Sequence, residues 1–148
     1  MFVSLQIAFP ENASSPSGSP LYFAVATPTG VSKKVSGCRA VEQHFTKLML
    51  TNLGSNTFNR DEGTSLSEIS KQTVSQDNML SIRNDIALSI LTVQNQILSS
   101  QEDIVLDLSE VLVSAEVQSI DYSEGTGWYI VVALTMADGN ATQVLLGA

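Results

Sequence analysis

The feature that most constrains the fold is a stripe of apolar side chains in the middle of the chain. Its main members are spaced three or four residues apart: Met79, Ile82, Ile86, Ile90, Val93 and Ile97. This spacing places them on one face of a long α-helix, over about residues 76–99. The stripe is widened by Leu80, Ala87, Leu91 and Leu98. A face this wide is typical of a helix that packs on a sheet; the alternative is that part of it meets a partner helix.

A second helix is predicted over about residues 37–52. Its apolar face consists of Cys38, Val41, Phe45 and Leu48. Ser36 is a candidate N-cap, because its hydroxyl can accept a hydrogen bond from the first turn. Gly54 is placed to end the helix with a positive φ. Between the two helices, the segment SLSEISKQ predicts a short helical turn.

After residue 110 the apolar residues no longer recur with the spacing of a helix but at every second position, which is typical of strands. The clearest alternation consists of Trp128, Ile130, Val132, Leu134 and Met136. Residues 111–118 and the final ATQVLLGA predict two further strands, separated from the first by DYSEGTG and by Asp138-Gly139, a tight-hairpin signal. We therefore expect a three-stranded antiparallel meander, covered on one face by the helices.

The first 35 residues have a different pattern. Residues 2–9 alternate apolar and polar side chains, PENASSPSGSP is a loop, and LYFAVAT is a second apolar run. The simplest interpretation is an N-terminal strand or hairpin extension, residues 1–35, followed by an α+β domain, residues 36–148. The fold class is then an antiparallel three- to four-stranded sheet packed against two main helices, with an N-terminal β-hairpin.

Composition limits the partners. The 148 residues carry a net charge of -8, so nucleic acid and anionic membranes are disfavoured. The acidity fits solubility alone, and it equally fits docking on basic protein surfaces. No run approaches the ~18 apolar residues of a membrane span, and the N-terminus lacks the basic flank of a secretory signal. We expect a protein that stays in the cytoplasm unless something else carries it.

The sequence contains few residues of the types that commonly serve in catalysis or metal binding. Cys38 is the only cysteine, so no internal disulfide can form, and its place on a helix face predicts a buried, inert thiol. His44 is the only histidine, and a structural or surface role is favoured. Metal-ligand spacings and phosphate-binding glycine motifs are missing from the sequence. The pairs Asp61-Glu62 and Glu102-Asp103 are adjacent in the chain, which suits solvated loops better than glycoside cleavage. We expect no enzymatic activity, no cofactor and no metal.

The segment LMLTNLGSNTFNRDEGTSL lies between the two helices and is followed by the β-meander. In this order of elements the chain resembles the sheath-initiator family of baseplate wedge proteins, found in contractile phage tails and type VI secretion baseplates, whose members are often described as lysozyme-like. The family loop reads T-x-x-G-[E/S]-R-x-x-x-P-x-F-G-x-x-L. It is matched without a gap by Thr51, Gly54, Ser55, Gly63 and Leu66, and Phe58 matches an aromatic residue of some members. The resemblance covers about residues 38–147.

The chain departs from that pattern at several positions. Asn56 replaces the family arginine, Arg60 the proline and Glu62 the aromatic residue. Members also tend to carry a Glu-Pro-Arg motif after the long helix, which grips the helical core bundle of the wedge. This chain has SSQEDIVLDL there, so docking on the bundle would use other residues or another shape.

The resemblance implies a structural protein of the virion tail baseplate, assembled in the host cytoplasm. It would belong to a six-fold, hetero-oligomeric assembly with other wedge proteins, sheath subunits and the surroundings of the tail tube. It would link the wedge core to the tail and nucleate the first sheath ring by sharing a β-strand.

Two segments are candidate partner-binding sites. The first is the loop, with Gly54, Ser55, Phe58, Arg60 and Gly63, which we expect Phe58 and Leu66 to pin to the core. The second is the last strand, with Thr142, Val144 and Leu146. This strand is apolar and has no proline or lysine, so as a bare edge it would be prone to aggregation unless a partner strand covered it.

Two other functions stay open at this point. A different tail protein or a generic interaction domain would be favoured if the N-terminal segment covered the edge strand. A baseplate-associated lysozyme would need two carboxylates about 5–9 Å apart in a cleft, and the sequence offers no good pair.

Overall fold

The computed structural model describes residues 35–148, and the expected N-terminal hairpin lies outside these residues. The described part begins with three helices, followed by a 3-10 turn, Leu108–Glu110, and three strands. The helices are α1, Cys38–Leu50, α2, Leu66–Ile69, and α3, Met79–Gln101. The strands are β1, Leu112–Ser123, β2, Gly127–Met136, and β3, Ala141–Gly147.

The strands form the predicted antiparallel meander, in the order β1-β2-β3. The α+β class with a three-stranded sheet is therefore confirmed. The helices cover one face, since α3 contacts β1 and α1 contacts β3. At the second turn Gly139 has a φ of 87°, as the tight hairpin requires.

β1 differs from the simple alternation that we predicted for it. Its pairing with β2 is irregular between Leu112 and Ser114, and again between Val117 and Ser119. Each irregularity reverses which residues face the core, so the inward side chains follow no single period. Val113 is consequently exposed, whereas Leu112 is buried.

α3 packs through the centre of its predicted stripe. Its fully buried apolar side chains are Ile82, Ile86, Ile90, Val93 and Ile97. The residues that widen the stripe behave differently, because Leu80 and Leu91 are exposed and only Ala87 and Leu98 are half-buried. The core-facing surface of α3 is thus narrower than the apolar sequence pattern.

α1 buries Val41, Phe45 and Leu48 as predicted, and Cys38 is only partly buried at its start. The predicted ends of this helix are wrong. The N-cap is Gly37, not Ser36; its φ is 69°, and its N–H donates to Glu110 Oε1 at 3.0 Å. Gly54 has the expected positive φ, but it lies in the following loop because the helix already ends at Leu50.

The orientation of α3 can be tested by comparing two positions. Ile86→Ala should lower the free energy of unfolding by about 2–5 kcal/mol, because Ile86 is fully buried and the core cannot refill the space. Leu80→Ala removes a similar side chain from the exposed face and should cost less than about 0.5 kcal/mol. Urea unfolding measures both, and equal losses would contradict this orientation.

Candidate interaction surfaces

The loop of residues 51–65 joins α1 to α2 and is closed at its base. Thr64 N–H donates to Thr51 O at 2.8 Å, and Leu53 N–H donates to Thr64 O at 3.0 Å, which forms a short parallel bridge between Asn52 and Thr64. The Thr64 hydroxyl also donates to Met49 O at 2.9 Å. The loop therefore leaves and re-enters the domain at one point.

Gly63 permits this tight closure. Its φ is 108°, and a Cβ added there would lie 2.4 Å from Thr51 O. Gly54 also has a positive φ, 80°, but an added Cβ would meet nothing within 4 Å. Gly63 is thus required by both backbone conformation and space, and Gly54 by conformation alone.

A side chain of α3 holds the C-terminal part of the loop, next to its base. Gln96 Oε1 accepts a hydrogen bond from Gly63 N–H at 3.2 Å, and its Nε2 donates to Asp61 O at 2.9 Å and to Gly63 O at 3.1 Å. No motif in the sequence marks Gln96 for this role, since its partners lie more than 30 residues away in the chain. One glutamine thereby satisfies three backbone groups that the loop conformation leaves without intraloop partners.

Two positions that depart from the resembled loop pattern contact each other. Asn56 Nδ2 donates to Glu62 Oε2, and the other carboxylate oxygen of Glu62 lies 3.4 Å from Lys47 Nζ on α1. Asn56 Oδ1 accepts a hydrogen bond from Phe58 N–H at 3.0 Å. The loop is therefore braced by α1 on one side and by α3 on the other.

The prediction that Phe58 pins the loop to the core is wrong. Its side chain is 100% exposed, whereas Leu66, the other predicted anchor, is buried. The polar contacts of the loop already fix its shape, and they direct Phe58 outward from the tip. Ser55 and Arg60 are exposed beside it, and Gly63 is the one predicted loop residue that is buried.

β3 is an edge strand, and its hydrogen bonds divide its backbone into two sets. Trp128 and Ala148 exchange both backbone hydrogen bonds, at 2.8 and 3.0 Å. Hydrogen-bonded and non-hydrogen-bonded pairs alternate along an antiparallel ladder. The residues of β3 whose backbone groups bond to β2 are therefore Thr142, Val144 and Leu146. The N–H and C=O groups that point away from β2 belong to Ala141, Gln143, Leu145 and Gly147. Among residues 35–148 no strand pairs with this outer edge.

The side chains that we predicted as contacts on β3 face the domain. Val144 and Leu146 are 7% and 3% exposed in the core, and Thr142 donates a hydrogen bond to the Glu42 carboxylate on α1. These side chains are therefore occupied within the domain, and the part of their strand in partner binding stays a prediction. The alternation of these residues along β3 marks its inward face. In the apolar run of residues 144–146, Leu145 is the side chain that faces outward.

A polar groove of about 580 Å³ lies where α1, the loop and α3 meet, and His44, Asp61 and Glu62 are among its lining residues. Burial, followed by the nearby charge of Lys47, lowers the pKa of His44, and Glu62 partly opposes this shift. Within the described residues no cluster of His, Cys, Asp and Glu could hold a metal ion. Glu62 is already engaged by Asn56 and Lys47, so in this arrangement it serves to brace the loop.

Comparison of the chain with protein-family models, with curated proteins and with solved structures finds no match. Every helix within residues 35–148 is too short or too polar to span a membrane. The geometry of the loop and of the β3 edge therefore carries the functional argument.

Substitution of the two loop glycines should have unequal effects. Gly63→Ala should cost more than about 2 kcal/mol of folding free energy, because it adds a steric clash to an unfavourable φ. Gly54→Ala should cost only the conformational part, about 1 kcal/mol. Chemical denaturation of both variants measures the difference, and a smaller loss for Gly63→Ala than for Gly54→Ala would contradict the packing of the loop base.

The lowered pKa of His44 predicts a dependence of stability on pH. The folded state favours the neutral imidazole, so this contribution is present above the unfolded pKa of about 6.5 and is lost as the pH falls through the folded pKa. Between about pH 7.5 and 5.5, the wild type should lose more unfolding free energy than His44→Gln. His44 is the only histidine, so an identical loss in both proteins would contradict the assigned shift.

Proposed function

We propose that the protein is a structural component of a contractile phage tail baseplate wedge, which links the wedge core to the tail and nucleates the first sheath ring by β-strand sharing. The observation that carries this proposal is the outer edge of β3. It offers the backbone groups of four alternate residues to a partner strand, in a segment without charge or proline. The resemblance in loop pattern and element order favours the baseplate wedge as the assembly in which this edge would pair with a partner strand.

The two edges of the sheet differ, which supports β3 as the site of strand addition. On β1, Gln101 of α3 bonds both backbone groups of Leu112, at 2.7 and 3.1 Å, and Gln94 accepts from Ala115 N–H at 3.0 Å. The irregular pairing of β1 further disturbs its ladder. Both devices discourage an added strand, and within residues 35–148 neither occurs on β3.

The side chains around the β3 edge suit a protein partner. Leu145 is half exposed and lies opposite Val131 on the face of the sheet away from the helices, with Tyr129 exposed nearby. A strand added to β3 would extend this face and place its own alternate side chains beside Leu145. Backbone hydrogen bonds would supply the affinity, and this apolar surface would select the partner sequence.

The loop supports a second protein contact. Phe58 is fully exposed on a segment that Gln96 and Glu62 already hold in place, so binding would require little further ordering. An exposed aromatic side chain on a fixed backbone is well suited to anchor a protein interface. In the proposed wedge, this contact would be made by another wedge protein.

Leu145→Pro tests strand addition with least damage to the domain. The N–H of Leu145 points away from β2, so proline removes a donor that the described fold does not use. We expect complemented phage, or a reconstituted tail assembly, to form baseplates without sheath. Leu145→Val keeps the N–H and is the matched control. Val144→Pro would be uninformative, because that N–H bonds to β2 and the side chain lies in the core.

Circular dichroism of Leu145→Pro establishes that the variant is folded before its activity is read. A folded variant that still nucleates normal sheath would contradict the proposal. Affinity purification of the tagged wild type should recover wedge proteins and sheath subunits, identified by mass spectrometry. Recovery of a monomer without tail proteins would favour a generic interaction domain.

A further inference from the structure

A second surface lies away from β3, in a groove of about 420 Å³ between the loop, α2 and α3. Its apolar lining consists of Leu53, Ile69 and Leu88, and its charged lining consists of Glu68 and Asp85. No residue of the sheet lines it. The strand-addition proposal therefore makes no use of this groove.

Two of the three apolar side chains of the groove are open to solvent. Leu53 is 55% exposed and Leu88 is 60% exposed. α2 is a single turn of four residues, so it ends before it can cover Leu88. Leu80 and Leu91, which do not line the groove, are also exposed on α3, and this helix carries only two charged residues, Arg83 and Asp85.

The charge of the groove indicates the chemistry of its occupant. Glu68 on α2 and Asp85 on α3 are both carboxylates, and no cationic side chain lines the groove with them. Within the described residues, neither carboxylate forms an ion pair or a side-chain hydrogen bond. Arg83, the nearest cation along α3, lies 4.0 Å from Asp121 of β1 instead.

We propose that this groove binds an amphipathic helix of a partner protein that carries both leucine and arginine or lysine. The partner's apolar side chains would pack on Leu53 and Leu88. The aliphatic part of its basic residue would lie along the groove and bring its charge to Glu68 and Asp85. The groove has apolar and acidic side chains and no basic one. It therefore suits a segment with leucine and basic residues better than a wholly apolar or an acidic segment.

A helix fits better than a strand for two reasons. Two of the three walls of the groove, α2 and α3, are helices whose backbone groups are bonded internally, so they offer no edge to an added strand. The exposed leucines of α3, at positions 80, 88 and 91, lie within one arc of the helix surface; only Leu88 lines the groove, and a second helix seated there can extend over the other two. Leu80 and Leu91 are 11 positions apart, or about 16 Å, so a partner helix of about three turns would cover them.

The test is titration of the ¹⁵N-labelled full-length chain with a synthetic helical peptide of about 15 residues. The probe carries leucines at i, i+4, i+7 and i+11 and arginines beside them; its control carries glutamate in place of each arginine. We expect saturable amide shifts at Leu53, Glu68 and Leu88, with a dissociation constant of about 1 mM or tighter. The glutamate peptide should bind at least about tenfold more weakly.

Variants of the protein separate the two halves of the proposal. Leu88→Ser, and the double variant Glu68→Gln with Asp85→Asn, should each weaken binding at least about fivefold. Leu145→Ser, which changes an equally exposed leucine on β3, should bind like the wild type. Because all of these residues are at least partly exposed, the variants should fold, and the unperturbed parts of their spectra establish this directly.

Three results would overturn the proposal. The first is an absence of shifts at these residues at peptide concentrations well above 1 mM. The second is equal binding of the arginine and glutamate peptides, which would show unspecific apolar contact. The third is a concentration-dependent shift of Leu88 and Leu91 without peptide, which would assign the surface to a second copy of the chain. Leu145→Pro should retain peptide binding, so this proposal and strand addition can fail separately.

Discussion

The structure depends on the burial of the isoleucine face of α3 against one face of the β-meander. Ile86, Ile90 and Val93 share a single buried cluster with Trp128, Ile130 and Val132 of the central strand. Apolar burial of this kind is the main contribution to stability in a domain whose described residues contain neither a disulfide nor a metal cluster. It also fixes the rotation of α3 about its axis, and this rotation determines which of its other side chains reach β1 and the loop.

Three glutamines show how far that rotation reaches. With the isoleucines on the sheet, Gln94 and Gln101 lie beside β1 and bond its backbone, and Gln96 lies over the loop and bonds Asp61 and Gly63. The same helix thus protects one edge of the sheet and holds the loop in one conformation. It makes no such contact with β3 at the opposite edge, so within the described residues one edge of the sheet is protected and the outer backbone groups of the other are unpaired.

The sequence predicted the parts of the fold that repeat along the chain. The isoleucines of α3 and the alternating residues of β2 each lie on one buried face, so spacing alone identified them. Spacing could not predict the irregular register of β1, which depends on its pairing with β2, nor the cap at Gly37, which depends on Glu110, 73 residues away. Phe58 was misplaced for a related reason: an apolar residue can be counted from sequence, but whether it faces the core or solvent is set by tertiary contacts.

The loop shows how a segment can keep its shape while its residues differ from the pattern that it resembles. Asn56 and Glu62 stand where that pattern has an arginine and an aromatic residue, and here they bond to each other and, through Lys47, to α1. Gly63, which the pattern shares, cannot be replaced at the loop base, because any side chain there would clash with Thr51 O. The shared residue therefore maintains the backbone, and the differing residues set the surface around the exposed Phe58. A partner of this chain would accordingly recognise Phe58 and its polar surroundings, on a loop whose course is determined by Gly63 and Gln96.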